Sequence, residues 1–131
     1  MSDDVPADLL YTREHEWARL DGKIATVGIT KFAVEQLGDV TQVDLPKEGE
    51  VIKKDDVFGT VESVKAVSDV YAPVSGKIVK VNFPLADSPE YLNDEPYDEG
   101  WMVQIELSNP KELDGMMSAE QYLTYLKEQE K

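Results

Sequence analysis

The sequence predicts a mainly β fold of two packed antiparallel sheets, with short peripheral helices and a helix near the C-terminal end. Three observations carry this prediction. Short runs rich in β-branched and aromatic residues recur through the middle of the chain. Helical signals are brief and fall at the joints between those runs. A strand–turn–strand pattern occurs twice.

Taken in order, residues 1–8 carry three aspartates and a proline and read as a flexible acidic end. Residues 9–131 read as one domain, because no Pro-, Ala- or Gly-rich tether interrupts them and the chain is expected to stand alone. Strands are expected over 17–20 and 23–28, joined by the tight-turn pair Asp21-Gly22. Further strands are expected over 57–61, 67–72, 76–83 and 101–107, with Pro73 and Gly76 bounding their neighbours. Thr30 is placed to cap a helix over 31–37, and Gly38 to end it. Asn109, Pro110 and Glu112 read as a capping box with proline at the first helical position. Ser118 and Gln121 repeat that box, and Tyr122, Leu123, Tyr125 and Leu126 then form one apolar face.

In the repeat, Val40, Val43, Pro46, Gly49, Val51 and Lys53 align with Val67, Val70, Pro73, Gly76, Ile78 and Lys80. The pattern implies two similar β halves packed on one another, since neither buries its apolar face alone. It also places Lys65. Gly38, a turn residue, precedes the first copy where Lys65 precedes the second, and valine-rich runs approach Lys65 from both sides. Lys65 is therefore expected at the tip of a hairpin, in a turn such as type I that ordinary residues tolerate.

Composition narrows the function. The 131 residues include 13 basic and 27 acidic side chains, for a net charge of −14. Nucleic acid and anionic membranes select basic surfaces, so neither is an expected partner. With no cysteine there is no disulfide, thiol nucleophile or zinc–thiolate site, and the single His15 builds no multi-histidine metal centre. No Ser–His–Asp order, Gly-rich phosphate loop or metal-ligand spacing is present, so an intrinsic enzyme is not expected. Residues 82–109 contain no Lys or Arg but hold Asp87, Glu90, Asp94, Glu95, Asp98, Glu99 and Glu106, a solvated face or a surface that steers basic partners.

A hairpin-tip lysine is accessible to a modifying enzyme, and acylation would remove its charge and extend it beyond the fold. Its surroundings carry a resemblance. Glu62-Ser63-Val64-Lys65-Ala66-Val67-Ser68-Asp69, with Ala72-Pro73-Val74-Ser75-Gly76, resembles the lipoyl-attachment motif of the glycine cleavage system H-protein family. His15-Glu16-Trp17, Val27-Gly28-Ile29-Thr30, Gln36-Leu37-Gly38-Asp39, Asn93, Pro96-Tyr97 and Gly100-Trp101 extend it in the family's order over about residues 9–126.

The resemblance implies a barrel-sandwich hybrid that is a non-catalytic carrier, with lipoic acid amide-linked to Lys65. It implies as partners a lipoylating enzyme, a pyridoxal-phosphate glycine decarboxylase, a tetrahydrofolate-dependent aminomethyltransferase and a dihydrolipoyl dehydrogenase, served by a monomer. It also implies that the loaded arm folds into a groove with an acidic lining, where Glu16 and Asp69 match family positions. Glu14 departs from the family, standing where a small polar residue is expected. His15 is either a packed side chain or a cofactor contact, and Glu62 and Asp69 are candidates for recognition by the lipoylating enzyme or for contact with the arm. Trp17 and Trp101 read as core anchors.

Other carriers fit less well. Val64 and Ala66 stand where a biotin carrier has methionines, and the linkers of a 2-oxoacid dehydrogenase lipoyl domain are missing. An H-like protein that relays lipoyl groups, or an unmodified H-like interaction domain, stays open. So does compartment: Met1 favours bacterial cytoplasm, with a processed mitochondrial matrix form as the alternative.

Overall fold

Apolar alternation produces short strands that bury one face each. The computed structural model describes residues 5–129. Its strands are β1 (Leu10–Tyr11), β2 (Glu16–Asp21), β3 (Ile24–Ile29), β4 (Val40–Asp44), β5 (Val51–Ile52), β6 (Val57–Ser63), β7 (Val67–Tyr71), β8 (Gly76–Val81) and β9 (Val103–Leu107). Its helices are α1 (Lys31–Leu37), α2 (Pro84–Asp87), α3 (Glu90–Asp94) and α4 (Ala119–Gln129). The strands form a six-stranded sheet in the order β1-β2-β3-β9-β8-β5 and a three-stranded sheet in the order β4-β6-β7, antiparallel throughout. Val27, Ile78, Val103 and Ile105 of the large sheet and Val43, Val61 and Val70 of the small one meet in one buried core. The two packed sheets with short helices are the mainly β architecture that the sequence predicts.

The repeat is laid out differently from two separate halves. Each copy gives one strand to each sheet: β4 and β7 flank β6, while β5 and β8 pair across Val51↔Lys77 and Ile52↔Gly76. The equivalence fails at Val51, which is 78% exposed where Ile78 is fully buried. β5 is a two-residue edge strand, and Ile52 is the residue it turns inward.

Local chemistry explains the other departures. Asp21 pairs with Ile24, so the two-residue turn is Gly22-Lys23 and not Asp21-Gly22. Gly22 takes φ 62, the first position of a II′ turn, which a residue without a Cβ adopts freely. β8 stops at Val81, short of Phe83, because Pro84 opens α2. Neither α2 nor α3 has a side-chain N-cap, so neither leaves a clear helical start in the sequence. Asn109 does not form the expected capping box. Residues Pro110–Gly115 make a 3-10 turn, Asn109 makes no capping bond, and the Glu112 carboxylate instead accepts from Ser75 N at 2.6 Å and Ser75 Oγ at 2.7 Å. The Ser118–Gln121 box forms in both directions, at 2.9 and 3.2 Å.

The C-terminal helix closes the large sheet. Tyr122 and Leu126 join Leu9, Tyr11 and Trp17 in a second buried cluster, with Tyr122 stacked on Tyr11 at 4.7 Å. Trp17 is fully buried and its indole N–H donates to Pro96 O, whereas Trp101 is only half-buried. Of the acidic start, Met1–Asp4 lie outside the described residues. Val5 packs on this second cluster, and the Pro6 carbonyl accepts from the Tyr11 hydroxyl at 2.6 Å.

Candidate functional site

The hairpin between β6 and β7 is closed by Ser63. Its hydroxyl accepts from Lys65 N at 3.2 Å and Ala66 N at 3.1 Å, while its own amide donates to Ala66 O at 2.8 Å. A serine hydroxyl supplies the local acceptor that such a turn needs. None of Val64, Lys65 or Ala66 takes a positive φ, so the tip needs no glycine. Val64 N donates to Asp39 O at 3.2 Å, fastening the tip to the chain that leaves α1. The Lys65 stem lies across Gly38, where a Cβ would stand 3.3 Å from Lys65 Cε, and Gly38 has φ 81. Glycine is therefore favoured at 38 by its backbone, while the flexible Lys65 stem could give way to a Cβ. Asn93 on α3 braces the same turn, accepting from Val40 N at 3.0 Å and donating to Gly38 O at 2.9 Å. Lys65 is exposed, and its amine makes no ion pair or hydrogen bond among the described residues.

Beside the tip a groove of about 750 Å³ runs between α1 and β7. Phe32, Ala33, Gln36 and Leu37 form one wall, residues 67–71 the other, and Ile29 and Val61 the floor. Glu14, His15 and Glu16 close the far end. α1 stands there because Thr30 caps it, its hydroxyl accepting from Ala33 N, and Gly38 ends it.

Glu16 is 2% exposed. Its Oε1 accepts from the Thr12 hydroxyl at 2.6 Å and its Oε2 from Tyr71 N at 3.2 Å, so it joins the turn before β2 to the end of β7. Burial pushes its carboxyl up to about 7, against those two bonds and with help from the negative charge of Glu14. Glu16 thus switches between neutral and anionic forms near neutral pH. His15 takes φ 70, packs its ring on Phe32 at 4.6 Å, and sets Nδ1 2.8 Å from the Tyr122 hydroxyl. Burial lowers its proton affinity.

Of the remaining candidates, Asp69 belongs to the groove wall and Glu62 does not. Directly paired strand residues share a face, so Asp69 (paired with Thr60) and Glu62 (paired with Val67) turn to the outer side of the small sheet. Thr60 in turn pairs with Asp44 and donates to its carboxylate at 2.9 Å. Asp69 borders the groove from that outer side, and Glu62 does not line it. Ser68 shares the face of buried Val61 and turns toward the groove. The sequence motifs include Ser68 and Gln36 without giving them a role in the site, and Phe32 and Ala33 carry no site signal in the sequence. Strand parity with buried Val70 was the signal available for Ser68, while the wall of α1 appears only once the helix is laid against β7.

A lysine held out on a braced hairpin, beside a groove that ends in a buried carboxyl, is an arrangement suited to the carrier class of protein. The family model described as "Glycine cleavage H-protein" matches residues 9–129. The glycine cleavage system H protein of Anaeromyxobacter sp. (strain K) is 55% identical over 127 residues, covering 97% of this chain and 99% of that protein. That of Symbiobacterium thermophilum is 55% identical over 125 residues, covering 95% and 98%. The crystal structure of a glycine cleavage system H protein from Mycobacterium marinum superposes with a TM-score of 0.87 at 36% identity, covering 94% of this chain and 99% of that one. The chain belongs to the glycine cleavage H-protein family, whose members are the lipoyl carriers of the glycine cleavage system.

Proposed function

We propose that Lys65 carries lipoic acid through an amide bond and that the loaded arm docks in the groove between α1 and β7. The single observation that carries this reading is the exposed Lys65 amine, without an ion pair or hydrogen bond among the described residues, on a hairpin beside a groove of about 750 Å³. The residues present fit the group. The amine is free for acylation, the groove offers Phe32, Ala33, Ile29 and Val61 to an aliphatic chain, and no cysteine in the sequence competes for a dithiolane. When bound, lipoate supplies the disulfide–dithiol chemistry that accepts an aminomethyl group and electrons. The protein contributes presentation at the tip and shelter in the groove. Glu16 when ionised, and the exposed Glu14 beside it, place negative charge at the end of the groove, which favours an amine at the end of the arm. His15 serves here as a packed support, since its Nδ1 is taken by Tyr122.

The partners in this reading are the lipoylating enzyme, a pyridoxal-phosphate glycine decarboxylase, a tetrahydrofolate-dependent aminomethyltransferase and a dihydrolipoyl dehydrogenase, served by a monomer that performs no catalysis itself. Glu62 and Asp69, on the outer face near the tip, suit recognition by the lipoylating enzyme better than contact with the arm. The acidic stretch from Asp87 to Glu106 suits steering toward basic partner surfaces. Bacterial relatives support a bacterial cytoplasmic setting, and no described helix is long and apolar enough to cross a membrane. Peptide mapping of the protein from its native source tests the assignment. The reading requires one lipoyl group on Lys65, and it falls if that lysine is unmodified or if another lysine carries the group.

A further inference from the structure

Two parts of the groove, the α1 wall and the acidic end, are held from behind by one hydroxyl. Tyr122 on α4 is fully buried. Its hydroxyl lies 2.8 Å from His15 Nδ1 and 2.7 Å from Thr30 Oγ1. Thr30, also fully buried, caps α1 through Ala33 N at 3.3 Å and donates its amide to the His15 carbonyl at 2.9 Å. His15 stands between Glu14 and Glu16 with φ 70, a backbone state that a residue with a Cβ keeps only when its surroundings hold it. The ring of His15 also lies against Phe32 of α1. One hydroxyl thus links α4, the cap of α1 and the turn that aims the groove's carboxyls.

We propose that Tyr122 is a positioning residue for the groove: its hydroxyl fixes the spacing between α1 and the Glu14–Glu16 turn, and through it the shelter given to a docked arm. This inference rests on the reading that the arm docks in this groove. Tyr122 and Thr30 are fully buried, so water does not readily replace the bond between them when the hydroxyl is removed. Tyr122→Phe keeps the ring and its stack on Tyr11 while leaving Thr30 and His15 short of a partner. Tyr125→Phe is the matched control, since its hydroxyl donates to Arg13 O at 3.2 Å in an exposed position.

The test has two readouts. In the unlipoylated chain, amide hydrogen exchange over Lys31–Leu37 is expected to be about tenfold faster in Tyr122→Phe, with β8 and β9 unchanged and Tyr125→Phe like the parent. In the lipoylated chain carrying an aminomethyl group, ammonia release follows R–S–CH2–NH3+ + H2O → R–SH + CH2O + NH4+. The C–S and C–N bonds break, water supplies the oxygen, and no oxidant is needed. Release is expected to be several-fold faster in Tyr122→Phe. If the parent releases ammonia as fast as free aminomethyl-dihydrolipoamide, the docking reading fails and the inference with it. If the parent is slow but Tyr122→Phe is equally slow, or if α1 exchange is unchanged, the positioning role alone is overturned. Should Tyr122→Phe unfold, as faster exchange in β8 and β9 would reveal, Thr30 decides. Thr30→Val must release fast and Thr30→Ser, which keeps the hydroxyl, must release slowly; equal rates overturn the inference.

Discussion

At the hairpin tip, Ser63 closes the turn with bonds spanning two and three residues, and Val64, Lys65 and Val67 are exposed to solvent. At the other end of the groove, Glu16 reaches Tyr71 across 55 residues and His15 reaches Tyr122 across 107. The first region is written locally and exposed to solvent. The second is assembled from segments far apart in the chain around the buried Glu16 and Tyr122. A carrier that must present its cargo and also shelter it needs both, and the two should answer differently to substitution.

The largest expected effect lies at the tip and falls on function without stability. Lys65→Arg keeps the charge and the turn, but a guanidinium does not form the lipoyl amide. Intact mass after incubation with a lipoylating enzyme should show no added group, glycine cleavage should stop, and the melting temperature should match the parent. Retained glycine cleavage would refute the assignment of Lys65.

At the groove end the effect falls on stability and depends on pH. The Glu16 carboxyl titrates near 4.5 when unfolded and near 7 when folded. The folded state therefore holds its proton longer. Stability from this group is full below about 4.5 and declines as pH rises through about 7, by about 3 kcal/mol in total at 1.36 kcal/mol per unit. His15 runs the other way: burial lowers its folded value below 6.5, so it costs stability as pH falls. Glu16→Gln cancels the first contribution and leaves the second. Urea unfolding at pH 5 and pH 8 should show the parent losing stability relative to Glu16→Gln at the higher pH. A constant difference between the two would mean that Glu16 titrates normally and that the far end of the groove is open to water.

The same contrast governs what could be read from the sequence. The Lys65 turn, the Thr30 cap, the Gly38 stop and the Ser118 box each depend on residues within a few positions, and each was legible. The Glu112 contact with Ser75 was not, because it competes with a local capping box that looks equally good on paper and wins by closing a loop of 37 residues. The Gly22-Lys23 turn differs by one residue from the expected pair because the pairing of β2 with β3 set the register. Of the groove, the sequence offered Glu16 and Asp69 only through a family resemblance. Strand parity then divides them, with Glu16 inside and Asp69 on the outer face.

That division predicts opposite behaviour for two carboxylates. Asp69→Asn and Glu62→Gln should raise the KM of the lipoylating enzyme several-fold and leave its kcat unchanged, as expected if both groups meet that enzyme. Steady-state lipoylation kinetics on the unmodified chain measure this. A change in the shelter of the arm by Asp69→Asn, with KM unaltered, would assign Asp69 to the arm and not to the lipoylating enzyme.

The smallest effect returns to the tip. Ser63→Ala removes the acceptor shared by Lys65 N and Ala66 N, but both amides face solvent and water replaces much of the loss. The bonds from Ser63 N to Ala66 O and from Val64 N to Asp39 O remain. The expected cost is about 1 kcal/mol or less, confined to the hairpin, with lipoylation slowed about twofold. Amide exchange should quicken at residues 65 and 66 and nowhere in β8 or β9. If Ser63→Ala instead weakens the whole fold by the 2–5 kcal/mol typical of a core truncation, the tip is not a locally encoded unit. Its rigidity would then derive from the sheets beneath it, and the division between a presented lysine and a sheltered groove would have to be redrawn.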